Sequence, residues 1–278
     1  GVNGMFIYPL TNTTAYQMMG YVIKTNSGEA IVIDGGNHGQ SDELYRVLCE
    51  VGKNVDLWIL THEHSDHYGS IIDLFDLHDD INVKKFMYND CAPRIKELLD
   101  DEDAAEVTEW NEFIGKSGFN LGSFYVGQVL DIGGVKIECL GRDNPEIHEN
   151  IMNNQSLVLR ISDGAFSIIF LADLGIEGGD KLVSFTGDEL KSTAVQMAHH
   201  GQNGVSKTVY EKISAKYAFW PTPKWLWENT PYLGGEPGKG HFQTPEVIGW
   251  MKELGCINIT SFDKTIVFDT DSERLIEK

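Results

Sequence analysis

The chain has 278 residues, and 41% of them are hydrophobic, ample for a sizeable core in one large domain or two smaller ones. Asp and Glu number 42 against 22 Lys and Arg, a formal charge of −20 that repels polyanions and argues against duplex DNA held by phosphate contacts. No apolar run approaches the about 18 residues that a membrane span requires.

In chain order, Met5 to Pro9 and Ala15 to Thr25 read as two strands of a meander, and Glu29 to Asp34 as a short buried strand running into Gly35-Gly36. Ser41 is expected to cap a helix whose Leu44, Val47, Leu48 and Val51 form one apolar face. Val55 to Thr61 is the next buried strand, and a helix follows with Asp66 and His67 in its first turn. Val83 to Tyr88 reads as a strand. Residues 93–116 are helical in pieces, broken by the acidic run Asp100 to Asp103, which is expected to be a solvated helix face or turn. Gly133-Gly134 marks a hairpin between Gln128 to Asp131 and Val135 to Leu140. After a polar loop containing Asp143 and His148 come the strands Ser156 to Ser162 and Phe166 to Ala172, then a helix around Glu177 to Phe185. The strand Ala194 to Ala198 ends in His199-His200-Gly201, and strand alternation would aim the two rings apart. Helix, strand, a loop rich in Pro, Gly and Trp (221–241), an amphipathic helix carrying Val247 to Leu254 and two closing strands complete the chain. With no linker visible, a single domain over 1–278 is expected.

Cys49, Cys91, Cys139 and Cys256 are widely spaced, with no Cys-x-x-Cys, as buried free thiols in a reducing compartment would be. The first residues lack a signal-peptide pattern, so a cytoplasmic location is expected, with a secreted form whose leader has been removed left open. Oligomeric state is not legible.

Four candidate ligands crowd the segment after the second buried strand: His62, His64, Asp66 and His67. On extended backbone His62 and His64 point the same way and can grip one ion, while Asp66 and His67 arrive a turn later and can reach a second. The two halves of the chain also rhyme. An apolar strand ending in Asp34, a helix, and a strand ending in His62 match a strand ending in Asp173, a helix, and a strand ending in His199-His200. A duplicated β-α-β unit would bring all these strand ends to one edge, the usual place for chemistry in α/β sheets. Imidazole mixed with carboxylate suits two divalent ions, Zn²⁺ first and Mn²⁺ or Fe²⁺ as alternatives, with the Asp173 carboxylate as the natural bridge.

His62-Glu-His64-Ser-Asp66-His67 resembles, in full, the His-x-His-x-Asp-His signature of metallo-β-lactamase-fold hydrolases. The resemblance implies an α/β chain (α+β by layer count) folded as an αββα four-layer sandwich with the site on one edge. It makes His62, His64, Asp66, His67, Asp173 and His200 metal ligands, and Asp34 and Asn153 their supports. Asn153-Asn-Gln-Ser-Leu-Val-Leu159, Phe170-Leu-Ala-Asp173, His199-His-Gly201 and Gly240-His241 resemble the branch holding competence DNA-uptake proteins and phosphorylcholine esterases. Two departures stand out. Met152-Asn153 occupies the place of the usual loop histidine, for which His148 is the nearest substitute and His199 or His200 the alternative, with the choice of metal ligand between those two left open, and Ala172 replaces the usual glycine before the bridging Asp.

The expected function is therefore a binuclear metal-dependent hydrolase that turns metal-activated water on a phosphodiester or related ester, phosphorylcholine-esterase-like, with a small-molecule or head-group substrate. Asp66 would orient that water, and His241 or His199 would protonate the leaving group. Trp220, Trp225, Trp227 and Tyr232 are either a hydrophobic plug or an aromatic wall for substrate. The alternatives are a single-stranded-DNA nuclease of the competence type, which needs a basic groove, and a non-hydrolytic metal-binding module.

Overall fold

The apolar runs become strands whose alternate side chains enter two different cores. In Ala30–Asp34, Ile31 and Ile33 face one core while Ala30 and Val32 face another, and Ile168 and Phe170 are likewise separated from Ile169. Burial on both faces explains why these strands read as continuous apolar runs rather than as alternating ones. The computed structural model describes residues 4–90, 92–232, 234–262 and 264–278.

Among the described residues one sheet has eight strands, in the order Arg274–Glu277, Ile266–Asp269, Met5–Pro9, Gly20–Thr25, Ala30–Asp34, Leu57–Ile59, Phe86–Met87 and Leu121–Gly122. The other has seven, in the order Ile257–Thr260, Tyr217–Trp220, Ala194–Gln196, Ser167–Phe170, Val158–Ser162, Val135–Gly141 and Val129–Ile132. Their facing sides share one core, in which Tyr21 and Phe170 meet edge to face at 5.0 Å. Helices Ser41–Val51, Ser65–Leu77 and Asp101–Lys116 cover the first sheet, and Ile176–Thr186, Lys207–Ile213 and Thr244–Glu253 cover the second. This is the expected αββα sandwich. The expected echo is present too: Ala30–Asp34 runs parallel to Leu57–Ile59, and Ser167–Phe170 parallel to Ala194–Gln196, each pair joined through a helix. Among the described residues no helix is long and apolar enough to cross a membrane.

Several local expectations give way to tertiary context. Ser41 is the first residue of its helix, and Gln40 takes the cap position with its side chain turned away to accept Thr13 N–H at 2.9 Å. The helix does bury Leu44, Val47, Leu48 and Val51 as the spacing requires. The stretch Val83 to Tyr88 is divided between Asn82–Val83 and Phe86–Met87, which pair with different neighbours. The acidic run, by contrast, keeps to expectation as a largely exposed first helical turn, with Asp100 as the N-cap accepting Asp103 N–H at 2.9 Å. The strand expected over Ala194 to Ala198 stops at Gln196. Of the thiols, Cys139 is buried, Cys256 half-buried and Cys49 exposed, all unpaired, while Cys91 lies outside the described residues.

One close approach locks the first β-α-β unit. Gly35 and Gly36 N–H both point to His67 O, at 2.8 and 3.3 Å, and Ser70 N–H returns to Gly36 O at 3.0 Å. Gly69 sits beside this crossing, where a Cβ would fall 2.4 Å from His38 N. Alanine is the better helix former by about 1 kcal/mol, so an ordinary helical glycine would gain from replacement. Here the clash dominates. Gly69→Ala is expected to lower unfolding free energy by about 1–3 kcal/mol, read as an earlier denaturant midpoint; an unchanged or later midpoint would contradict the close approach.

Candidate metal centre

The site is assembled at the carboxyl ends of the two parallel strand pairs. Asp34 ends its strand with φ +56°, and its buried carboxylate turns onto the next strand end. It accepts Thr61 N–H at 2.8 Å, Thr61 Oγ1–H at 2.8 Å and His67 Nδ1–H at 2.7 Å. In the second half, Ala172 also has positive φ, +49°. Gln196 satisfies that turn, its Oε1 accepting Leu171 and Ala172 N–H at 2.9 and 2.7 Å. Ser156 Oγ accepts Asp173 N–H at 3.1 Å.

These supports bring Asp66, His67, Asp173 and His200 together, with one ligand atom of each within 4.8 Å of all the others. Asp173 Oδ2 lies 3.3 Å from both His67 Nε2 and His200 Nε2, and Asp66 Oδ2 lies 3.0 Å from His200 Nε2. The outer nitrogens are already spent, His67 Nδ1 on Asp34 and His200 Nδ1 on Pro221 O at 2.8 Å, so both Nε2 atoms face the cluster. His67 Nε2, His200 Nε2 and Asp173 Oδ1 are buried without a hydrogen-bond partner among the described residues. A buried polar atom left without a well-aligned partner costs stability, here reduced at both nitrogens by the carboxylate oxygens 3.0–3.3 Å away. A divalent cation taking both nitrogens and a carboxylate oxygen removes that cost, so the donor set fits a metal.

His62 and His64 form a second convergence, His62 Nε2 facing His64 Nδ1 at 3.1 Å. The His62 and His67 rings are 4.2 Å apart at their centroids, so the two groups adjoin. His199 was expected to point away, but strand alternation does not reach it. Residues 199 and 200 both have left-handed backbone (φ +49° and +55°), and the turn swings His199 Nε2 to 3.9 Å from Asp173 Oδ2. His148 is exposed and shares with His64 and Asn153 the wall of a cavity of about 390 Å³. Asn153 is buried and donates to Asn150 Oδ1 at 2.8 Å. His241 is exposed, two residues from Gln243, whose Oε1 accepts Asn203 N–H at 3.0 Å beside His199.

Thr61, Gln196 and Pro221 are supports that sequence reasoning missed. Gln196 carried a signal, a lone amide inside an apolar run; the Pro221 carbonyl carried none. Of the aromatics, Trp220 is buried and meets Trp227 edge to face at 5.1 Å, as a plug would. Trp225 instead contacts Tyr232 and Phe242 at 5.2 and 5.3 Å, with Tyr232 half exposed.

Fold and site together define a protein of the metallo-β-lactamase fold with a candidate metal-binding His/Asp group. Residues 16–88 match the family model described as the Metallo-beta-lactamase superfamily. Among solved structures, the chain is similar to the metallo-beta-lactamase fold protein YhfI from Bacillus subtilis (14% identity, 96% of this chain and 100% of that chain, TM-score 0.58). It is also similar to unliganded yeast PDE1 (11% identity, 93% and 97%, TM-score 0.55) and to a variant of the CmlA beta-hydroxylase (10% identity, 92% and 52%, TM-score 0.52). At these identities the likeness concerns the fold. No curated protein matches by sequence.

Without an ion the cluster is a proton trap. Burial alone would favour neutral imidazoles, but Asp173 and Asp66 outweigh it at His200, which is pushed up to about 10, and Asp173, Asp66 and Asp34 raise His67 well above its ordinary value. Both shifts favour the protonated rings, whose protons a cation would have to displace. Metal binding at pH 7 is expected to release protons and to weaken as pH falls. Calorimetry in buffers of different ionisation enthalpy checks this; a buffer-independent binding heat would contradict it.

Proposed function

We propose that this chain is a binuclear metal-dependent hydrolase of phosphodiesters or related esters. The carrying observation is Asp173: one oxygen lies 3.3 Å from both His67 and His200, and the other is buried without a partner among the described residues, as would suit a metal-binding carboxylate. In this reading His62 and His64 hold the first ion, and Asp66, His67 and His200 the second. Bound there, the ions would supply acidified water and positive charge for a phosphoryl group; the donors suit Zn²⁺ first, with Mn²⁺ or Fe²⁺ as alternatives.

The chain's own residues do the rest. Asp34 and the Pro221 carbonyl fix two ring orientations, so the ligands need no rearrangement when substrate arrives. Asp66 is only partly buried and is the ligand best able to orient a water. His199 stands on the Asp173 side, its Nε2 3.9 Å from Asp173 Oδ2, with its ring partly open to solvent. That makes it the better placed proton donor for a leaving group, with His241 on the adjoining loop as the second. Trp225, Tyr232 and Phe242 next to His241 support a head group that stacks or carries a quaternary ammonium, as in a phosphorylcholine ester. Asp100 and Asp103 on the cavity beside His64 weigh against a nucleic-acid track.

The test is a panel of bis-nitrophenyl phosphate, nitrophenyl phosphorylcholine, single-stranded DNA and a β-lactam, each with Zn²⁺ and Mn²⁺. The two phosphoesters are expected to be cleaved, and Asp173→Asn to lower kcat/KM by about 100-fold or more. No cleavage of any of the four by the metal-loaded protein would favour a binding module. Proton donation makes a separable prediction. His199→Ala should cost about 10²–10⁴-fold with an alkyl leaving group and little with nitrophenolate, which departs unaided. If His241→Ala shows that pattern instead, the role moves to His241.

A further inference from the structure

Asp103, Glu106 and Glu109 are three residues apart and share one face of the helix Asp101–Lys116. That face is turned onto the histidine loop. Glu106 accepts Ser65 N–H at 3.2 Å and Ser65 Oγ–H at 2.6 Å, at the start of the helix that carries Asp66 and His67. Glu109 accepts Tyr68 O–H at 2.8 Å. Asp103 Oδ1 lies 3.2 Å from His64 Nε2.

The last contact bears on the first ion. An imidazole with a carboxylate at Nε2 keeps its proton there, leaving the Nδ1 lone pair as the ligand. His64 Nδ1 is the atom that faces His62 Nε2 at 3.1 Å. Asp103 meets the opposite nitrogen of the ring, so it stands behind His64 and is not itself a ligand. It does for His64 what Asp34 does for His67 and the Pro221 carbonyl for His200. Here, though, the support comes from a separate helix on the outside of the sandwich.

We propose that Asp103 is a positioning residue that fixes the tautomer and ring orientation of His64 for the first ion. The metal part of this proposal rests on the two-ion reading; the tautomer part does not, because it is a property of the metal-free chain.

Two measurements on the full chain test it. In metal-free protein with His64 neutral, long-range ¹H–¹⁵N NMR is expected to find its proton on Nε2, and Asp103→Ala to give a mixture of tautomers. In chelator competition with Zn²⁺, Asp103→Ala should weaken one of the two ions by about 10–100-fold and leave the other unchanged. Asp103→Glu should recover part of that loss, and Glu102→Ala, which removes the same charge from the same turn, should match wild type. A His64 proton on Nδ1 in wild type would overturn the proposal, and so would equal zinc affinities for Asp103→Ala and Glu102→Ala. If wild type takes up one ion only, the two-ion reading fails, and the tautomer alone still decides the role of Asp103.

Discussion

The buried carboxylate of Asp34 is the constraint on which the site depends. Removing a charged carboxylate from water costs several kcal/mol, and burial pushes the Asp34 carboxyl up; three donors, Thr61 N–H, Thr61 Oγ1–H and His67 Nδ1–H, offset part of that cost. Charge-assisted bonds of this kind contribute about 1.5–3 kcal/mol each, so each donor lost leaves more of that cost uncompensated. The effect is to tie one strand end to the next strand end and to the first turn of a helix.

The second half solves the same problem without a charge. Ala172, His199 and His200 all sit in left-handed backbone, a conformation costing a non-glycine residue of order 1–3 kcal/mol. Gln196 takes up the freed backbone groups around Ala172, and Thr222 donates to His200 O at 2.6 Å. Strain collects at the strand ends because a straight strand could not bring Asp173, His199 and His200 onto the same edge. The sandwich supplies the rigidity that pays for it: the core between the sheets holds side chains from both β-α-β units, so the two strand-end groups are fixed relative to each other.

Much of this was legible in the sequence, for identifiable reasons. His62, His64, Asp66 and His67 are close in the chain, so local geometry alone groups them. Asp173 and His200 could be expected on the same edge, where they lie, because the strand–helix–strand pattern repeats and parallel strands place their ends together. What escaped depends on tertiary contacts. Ser41 offered a good cap, but Gln40 was claimed by Thr13. The direction of His199 followed from two left-handed residues that a strand pattern cannot announce. The acidic run is solvated helix at Asp101 and Glu102, as expected, but Asp103 turns to His64, because sequence does not say which helix face meets the histidine loop. The fold likewise does not name the chemistry, since similar structures include both yeast PDE1 and the CmlA beta-hydroxylase.

The central claim is that the orphaned nitrogens of His67 and His200 and the Asp173 carboxylate exist to hold a cation beside the His62–His64 pair. Anomalous diffraction at the zinc edge from crystals grown with Zn²⁺ tests it most directly. The account predicts one peak bounded by Asp66, His67, Asp173 and His200, with a second about 3.5–4 Å away against His62 and His64. A peak elsewhere on the acidic surface, with none between His67 and His200, would contradict it.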